Sequence, residues 1–231
     1  YTHVVVGNYY RNQSKFEEAI KSYNKLESFQ EQGLANLYSA NHYRALSNTF
    51  MGNFDLAESF FRKNIELGNV FGAYTYLPEM FLHKGDYEAA VSVIDEYENN
   101  LIDLELPAQQ ELNAIVQINR LKTICYLHSN KNKEALNHIS KTKDAQINSI
   151  NLRKNRLTEI EYNRRIQFAN FTEETLKIWH NIMFGNYNDA RRNLETYKTI
   201  SEALDTPNNL HNYYVLNAIL ELKLNNSETV S

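Results

Sequence analysis

A short pattern recurs five times along the 231-residue chain, and it restricts the possible fold more than any other feature. Each copy has a small or polar turn residue and an alanine five positions later. Four of the copies also have an aromatic residue two positions after the turn. The copies begin at Ser14, Gly52, Gly85, Asn130 and Gly185, and the copy at Asn130 lacks the aromatic residue. Because each copy follows one apolar-periodic segment and opens another, the pattern predicts five helical hairpins.

The residue types explain how such a hairpin forms. Glycine or asparagine at the turn can adopt the left-handed backbone conformation that ends a helix. An Asp or Asn directly after it, such as Asn53 or Asp86, can cap the next helix. The aromatic side chain fills the space between two helices, and alanine lets their backbones approach closely. A single hairpin cannot bury its apolar face, so we expect the hairpins to stack on one another.

The scarcity of helix-breaking residues supports an all-α fold. Seven glycines and three prolines are too few for the turns of a β-sandwich or barrel. We predict helix pairs at 2–13 with 15–30, 34–51 with 54–67, 71–84 with 86–100, 108–129 with 131–142 and 172–184 with 186–204. An extra amphipathic helix is predicted over 145–170, and a last helix over 208–224.

The first copy of the pattern resembles a known repeat. Residues 6–23, VGNYYRNQSKFEEAIKSY, are similar to the consensus of the tetratricopeptide repeat (TPR), and the signature positions hold Gly7, Tyr10, Phe16, Ala19 and Tyr23. The resemblance is strongest in the first three copies. Only the interval from Gly52 to Gly85 is close to the family's period of about 34 residues, and the other intervals are longer.

The resemblance implies a fold and a domain plan. The fold is a right-handed superhelical α-solenoid of antiparallel helix pairs, about five pairs plus a terminal helix, in a bacterial protein. One TPR-like domain would span 1–231, with regular repeats over 1–100, a degenerate repeat over 108–142, the extra helix over 145–170, a repeat over 172–204 and a partial repeat over 208–224. The chain starts without Met and stops after an apolar segment, which indicates a piece of a longer protein.

In this family the first helix of each pair lines a concave groove that takes up peptides. By position, the resemblance implies that the groove residues here are Asn8, Arg11, His42, Tyr43, Tyr76, Glu79, His83 and Arg120. The tyrosines could instead pack between neighbouring repeats, and the sequence leaves both alternatives open.

Chaperone-binding members of the family grip a C-terminal carboxylate with two Lys, two Asn and one Arg. Only Asn8 matches that set, and the other four positions hold Val4, Tyr43, Gly72 and Tyr76. Without the cationic groups these positions cannot form charge-assisted hydrogen bonds to a carboxylate, so carboxylate-clamp chaperone binding is not expected.

The sequence shows no constellation that predicts catalysis, a metal site or a cofactor. None of the seven histidines has the spacing to Cys or acidic residues of a known metal motif, and no glycine-rich phosphate loop occurs. Cys125 lies in an apolar stretch and is expected to be a buried, inert thiol. The acidic pairs Glu17-Glu18 and Glu173-Glu174 are expected at helix starts, where they favour the helix dipole. We therefore predict a protein that is not an enzyme.

Charge and hydropathy narrow the partners further. The formal net charge of −4 disfavours nucleic acid, and no apolar stretch is long enough to span a membrane. The chain has one positive cluster, formed by Arg153, Lys154, Arg156, Arg164 and Arg165. Because Glu159 and Glu161 interrupt it, a solvated face is favoured, and a surface for an acidic partner is the alternative.

These observations favour a non-catalytic scaffold whose groove holds a protein or peptide segment. One alternative is the peptide-sensing region of a larger bacterial regulator, and another is a TPR region attached to an enzyme outside these residues. The single cysteine leaves the compartment open between cytoplasm and periplasm.

Overall fold

The computed structural model describes residues 2–26, 34–203 and 207–228, and within these ranges it contains eleven α-helices and no β-strand. The predicted all-α class is therefore confirmed. The chain divides into two compact units, Tyr1–Asn99 and Asn100–Ser231.

The first unit holds the copies of the pattern at Ser14, Gly52 and Gly85. Its helices are α1 (Thr2–Asn12), α2 (Phe16–Asn24), α3 (Leu34–Phe50), α4 (Phe54–Glu66), α5 (Val70–Lys84) and α6 (Tyr87–Asn100), the last of which ends one residue past the unit boundary. Helix α5 continues through Pro78. The starts of these helices lie within one residue of their predicted positions.

The second unit holds the copies at Asn130 and Gly185. Its helices are α7 (Ala108–His128), α8 (Asn132–Leu152), α9 (Glu159–Met183), α10 (Tyr187–Ala203) and α11 (Pro207–Glu228), with a short 3-10 helix at Lys154–Arg156. Phe171, Ile178, Leu194, Tyr197 and Leu220 belong to the core that α9, α10 and α11 enclose.

All five copies of the pattern form the same turn. The turn residue has a positive φ in every copy, with 58° at Ser14, 78° at Gly52, 79° at Gly85, 57° at Asn130 and 75° at Gly185. The N–H of the following residue donates to the carbonyl five residues earlier at 2.8 or 2.9 Å, as Lys15 to Tyr10, Asn53 to Asn48, Asp86 to Phe81, Lys131 to Tyr126 and Asn186 to Asn181. This is the Schellman arrangement that ends a helix. The predicted left-handed turn is therefore confirmed, including in the copy without an aromatic residue.

The alanine of each copy lies where two helices meet. Ala19, Ala57, Ala90, Ala135 and Ala190 all have an exposed fraction of 0%. A larger side chain at such a position would force the neighbouring helix outward, because a packed interior has no room for extra methylene groups.

The capping prediction is right at one turn and wrong at another. Asp86 Oδ1 accepts a hydrogen bond from the Ala89 N–H at 3.1 Å, which caps α6. Asn53 makes no side-chain cap to α4. Its amide instead donates to Asn48 Oδ1 at 3.3 Å, so the side chain points back toward the preceding helix.

Contacts within the helix pairs show that their members run in opposite directions. At the start of α1 the His3 carbonyl accepts from Ser22 Oγ, near the end of α2, at 3.0 Å. The Tyr38 carbonyl of α3 likewise accepts from Asn64 Nδ2 of α4 at 3.0 Å. Antiparallel packing is therefore present in these pairs. The number of repeat pairs, their right-handed superhelical stacking and the single domain over 1–231 remain predictions.

The predicted extra helix over 145–170 is wrong. Residues 145–152 complete α8, and residues 159–170 begin α9. The break between them ends at Thr158, which forms a capping box with Glu161: each side chain bonds the other residue's backbone N–H. Consequently the predicted helix over 172–184 is the second half of α9. The predicted helix over 15–30 ends at Asn24, and its residues 27–30 lie outside the described ranges.

The turn at Gly185 allows a test of how much the left-handed backbone conformation at the turn residue affects stability. Gly185→Ala should lower the free energy of unfolding by about 1 kcal/mol, because a Cβ makes the left-handed conformation costly. Nothing lies within 4 Å of the added Cβ, so the backbone is the only cause of this effect. Asn130→Gly should raise the free energy of unfolding by a similar or smaller amount. Urea unfolding followed by circular dichroism measures both changes.

Gly185→Asn is the matched control, since asparagine tolerates the left-handed region better than alanine does. It should cost less than Gly185→Ala. Equal stability of the alanine variant and the wild type would show that the turn relaxes to another conformation.

Candidate functional site

A cleft of about 500 Å³ opens in the first unit. Its walls come from α1, α3 and α5, together with the turn before α2 and the start of that helix. Four of the eight predicted groove residues line it, namely Arg11, Tyr76, Glu79 and His83. The structure therefore brings together, in one cavity, residues from the first helix of two predicted pairs.

Arg11 and Tyr43 are held in a stack beside this cleft. The guanidinium of Arg11 lies over the Tyr43 ring, 5.3 Å from its centroid. The Tyr43 ring in turn stacks on Tyr23, with centroids 5.2 Å apart and planes 21° apart. The stack fixes the position of the cation by a cation–π contact.

Asn8 and Gly7 support the same stack from α1. The Tyr23 hydroxyl donates to Asn8 Oδ1 at 2.9 Å, and the Tyr23 ring has an exposed fraction of 0%. A Cβ added to Gly7 would lie 2.1 Å from Tyr23 Cε1. Only glycine therefore lets the ring approach α1 this closely. Asn8 and Tyr43 do not line the cleft, and their contacts are those of packing residues.

His42 packs between the stack and the cleft. Its ring meets Tyr43 edge-on at 5.1 Å and Tyr76 edge-on at 4.7 Å. Burial, reinforced by the nearby charge of Arg11, lowers the pKa of His42 from 6.5 to about 4. His42 is therefore neutral at neutral pH, and its role in the first unit is that of an aromatic spacer.

The cleft has two aromatic residues that the sequence analysis did not assign to it. Phe16 and Phe50 both line the cavity, and their rings stack with centroids 5.7 Å apart. Phe50 also meets His83 edge-on at 6.0 Å and has an exposed fraction of 56%. Phe16 was explained by the turn pattern alone. The sequence does carry one signal for Phe50. It is a large apolar residue two positions before the helix-ending Gly52, where a core residue is not expected.

The charges of the cleft are few and distinct. Arg11 makes no ion pair with a carboxylate of the described residues. Glu79 brings a carboxylate and His83 an exposed imidazole. The site thus combines a guanidinium and an exposed aromatic row, which suits a ligand with both polar and apolar groups.

Arg120 is the one predicted groove residue in the second unit. It is exposed on α7.

Two other expectations about reactive side chains concern the second unit. Cys125 is fully buried, as expected, and burial raises the pKa of its thiol to about 12. The expected placement of Glu173 and Glu174 at a helix start is wrong, because both lie in the middle of α9. Glu173 pairs with Lys143 of α8 at 2.7 Å and with Lys177 at 3.0 Å. Burial would raise the pKa of Glu173, but hydrogen bonds from the two lysines outweigh it and lower that pKa.

Within the described ranges, no group of three or more His, Cys, Asp or Glu side chains is placed to hold a metal ion. No helix in the same part of the chain is both long enough and apolar enough to cross a membrane.

The sequence matches no protein-family model, and no curated protein matches it significantly. The type of ligand is therefore inferred from the charges, the aromatic rings and the volume of the cleft.

The low pKa of His42 predicts how the stability of the first unit depends on pH. Below pH 6.5 the unfolded chain takes up a proton at His42, whereas the folded chain does so only near pH 4. The free energy of unfolding should therefore fall as the pH falls through this window, by up to roughly 3 kcal/mol from this group. His42→Phe keeps an aromatic ring and should remove this part of the dependence.

Urea unfolding of both proteins across this pH window gives the measurement. The variant should gain stability relative to the wild type as the pH falls. Parallel pH profiles for the two proteins would mean that His42 titrates normally in the folded state.

Proposed function

We propose that this chain is a TPR-type helical repeat protein that holds a peptide segment of another protein in the cleft beside α1, α3 and α5, without catalysing a reaction. One observation carries this proposal. Arg11, Tyr76, Glu79 and His83, which the resemblance assigns to a peptide groove, line a single cavity. The assignment was made from sequence position alone, so their convergence supports it independently.

The repeated turn supports the repeat architecture within this proposal. Five left-handed turns with the same backbone hydrogen bond, each followed by a fully buried alanine, recur in both units. Such local regularity is typical of proteins that stack one supersecondary unit many times, and stacked units present extended surfaces for binding.

The size and lining of the cleft favour a peptide over a larger surface. A volume of about 500 Å³ lies within the usual range for a cavity that encloses a small ligand or a few side chains. Phe16, Phe50 and His83 offer a row of rings for an apolar side chain. Arg11 and Asn12, from α1, can donate hydrogen bonds to the carbonyl oxygens of an extended backbone.

A test of this function uses the exposed rim of the cleft, because changes there leave the core intact. A phage-displayed library of random peptides is selected on the wild-type chain, and the affinity of the enriched peptides is measured by fluorescence anisotropy. Phe50→Ser with His83→Ser should weaken these peptides by about tenfold or more, since buried aromatic contacts carry much of the affinity in such sites. Arg11→Gln should weaken peptides whose backbone it binds.

Leu56→Ser is the matched control, because Leu56 is a similarly exposed apolar residue of α4 that does not line the cleft. It should leave the affinities unchanged, and all variants should keep the helical circular dichroism signal. Failure to enrich any peptide, or enrichment of peptides that are insensitive to the Phe50 and His83 changes, would rule out this cleft as the binding site.

A further inference from the structure

A second surface stands out in the second unit. It lies on the first turns of α9, and we call it the basic-apolar surface. Its members are Ile160, Arg164, Arg165 and Phe168, and all four are exposed.

Neither arginine of this surface forms an ion pair with a carboxylate of the described residues. Two cations that are close in sequence have other contacts: Arg153 Nε donates to the Gln109 side chain, and Lys154 lies over the Tyr162 ring at 5.0 Å. By contrast, Arg191 and Arg192 of α10 pair with Glu221 and Asp189 at 2.8 and 2.7 Å.

Two glutamates interrupt the cationic cluster in sequence and offset part of its charge. The Glu161 carboxylate accepts from both the N–H and the hydroxyl of Thr158 at 2.9 Å. These hydrogen bonds, together with the nearby charge of Arg165, lower the pKa of Glu161. Glu159 lies in the first turn of α9, where a negative charge is favoured by the exposed backbone N–H groups. The five cations of residues 153–165 still outnumber the two glutamates by three, on a chain of net charge −4.

Large apolar side chains are exposed within this positive surface. The exposed fraction of Ile160 is 81% and that of Phe168 is 56%. These residues are eight positions apart on α9, so they lie on one face about 12 Å from each other, with Arg164 halfway between them. Tyr162 and Ala169 occupy the opposite, more buried face. Ile160 and Phe168 therefore form an exposed apolar pair on either side of an arginine.

We propose that the basic-apolar surface binds an acidic segment of another protein, whose carboxylates pair with Arg164 and Arg165 while its apolar side chains cover Ile160 and Phe168. The excess of positive charge in this segment complements a negative partner segment, and the two apolar residues fix where that partner segment lies. Arginine suits this role because its planar guanidinium binds carboxylates in a bidentate manner.

The same arrangement disfavours an anionic membrane as the occupant. A helix that lies in a bilayer interface separates a continuous apolar face from a cationic face. On α9 the central position of the apolar face is Arg164, so burying Ile160 and Phe168 in lipid would also bury its guanidinium. A carboxylate-bearing peptide, in contrast, supplies a partner for that group at the same place.

The test uses a panel of synthetic helical peptides that carry Glu and Leu at several helical spacings, with the complete 231-residue chain as receptor. At least one peptide should bind, and its counterpart with Gln for Glu should bind at least about tenfold more weakly. Arg164→Gln with Arg165→Gln, and separately Ile160→Ser with Phe168→Ser, should each weaken binding by about tenfold. Higher ionic strength should weaken it as well.

Arg191→Gln with Arg192→Gln is the control of equal charge change, and it should alter the affinity by less than about twofold. The proposal is overturned if no peptide binds, or if the two arginine pairs have equal effects. It is also overturned if binding disappears in the Phe50→Ser with His83→Ser protein, since the peptide then occupies the cleft. Binding of phosphatidylserine vesicles that depends on Ile160 and Phe168, in the absence of peptide binding, would identify a membrane surface instead.

Discussion

The close approach of two helices at a fully buried alanine is the constraint on which the rest of this structure depends. That approach requires the chain to reverse within a few residues. The left-handed turn, closed by a backbone hydrogen bond between residues five apart, achieves this reversal. Since the bond joins backbone groups, the turn residue can change from Gly to Ser or Asn without altering the geometry. The side chains around the turn can therefore differ between copies. Those of Ser14 and Phe16, in the first copy, line the cleft.

Much of this fold could be predicted from the sequence, because turn residues and alanines act locally. The positions that escaped prediction depend on competing local chemistry or on distant partners. The break before α9 needed the capping box of Thr158 and Glu161 to be recognised, whereas apolar periodicity alone ran through it. Glu173 was misplaced for the same reason, because the helix predicted to start at 172 is the interior of α9, which begins at Glu159. The Asn53 side chain bonds Asn48 instead of capping α4, and its position in the sequence does not distinguish between these two partners.

The predicted groove residues separate into two groups for a similar reason. Position in the repeat indicates which helix face a residue occupies, but not whether a neighbour covers it. Tyr43 is covered by Tyr23 and Arg11, while Tyr76 and His83 reach the cleft. Phe50 joins them because α3 ends there. Both proposed binding surfaces place an arginine near exposed aromatic or aliphatic groups, and among the described residues neither Arg11 nor Arg164 forms an ion pair with a carboxylate.

Cys125 has a consequence that concerns measurement rather than binding. It is the sole cysteine of the chain, it is fully buried on α7, and its thiol stays protonated far above neutral pH. An alkylating reagent can therefore modify the chain at one site, and only after the helices of the second unit separate. The rate of modification under native conditions reports the free energy of that opening, so the second unit contains its own intrinsic probe of local unfolding.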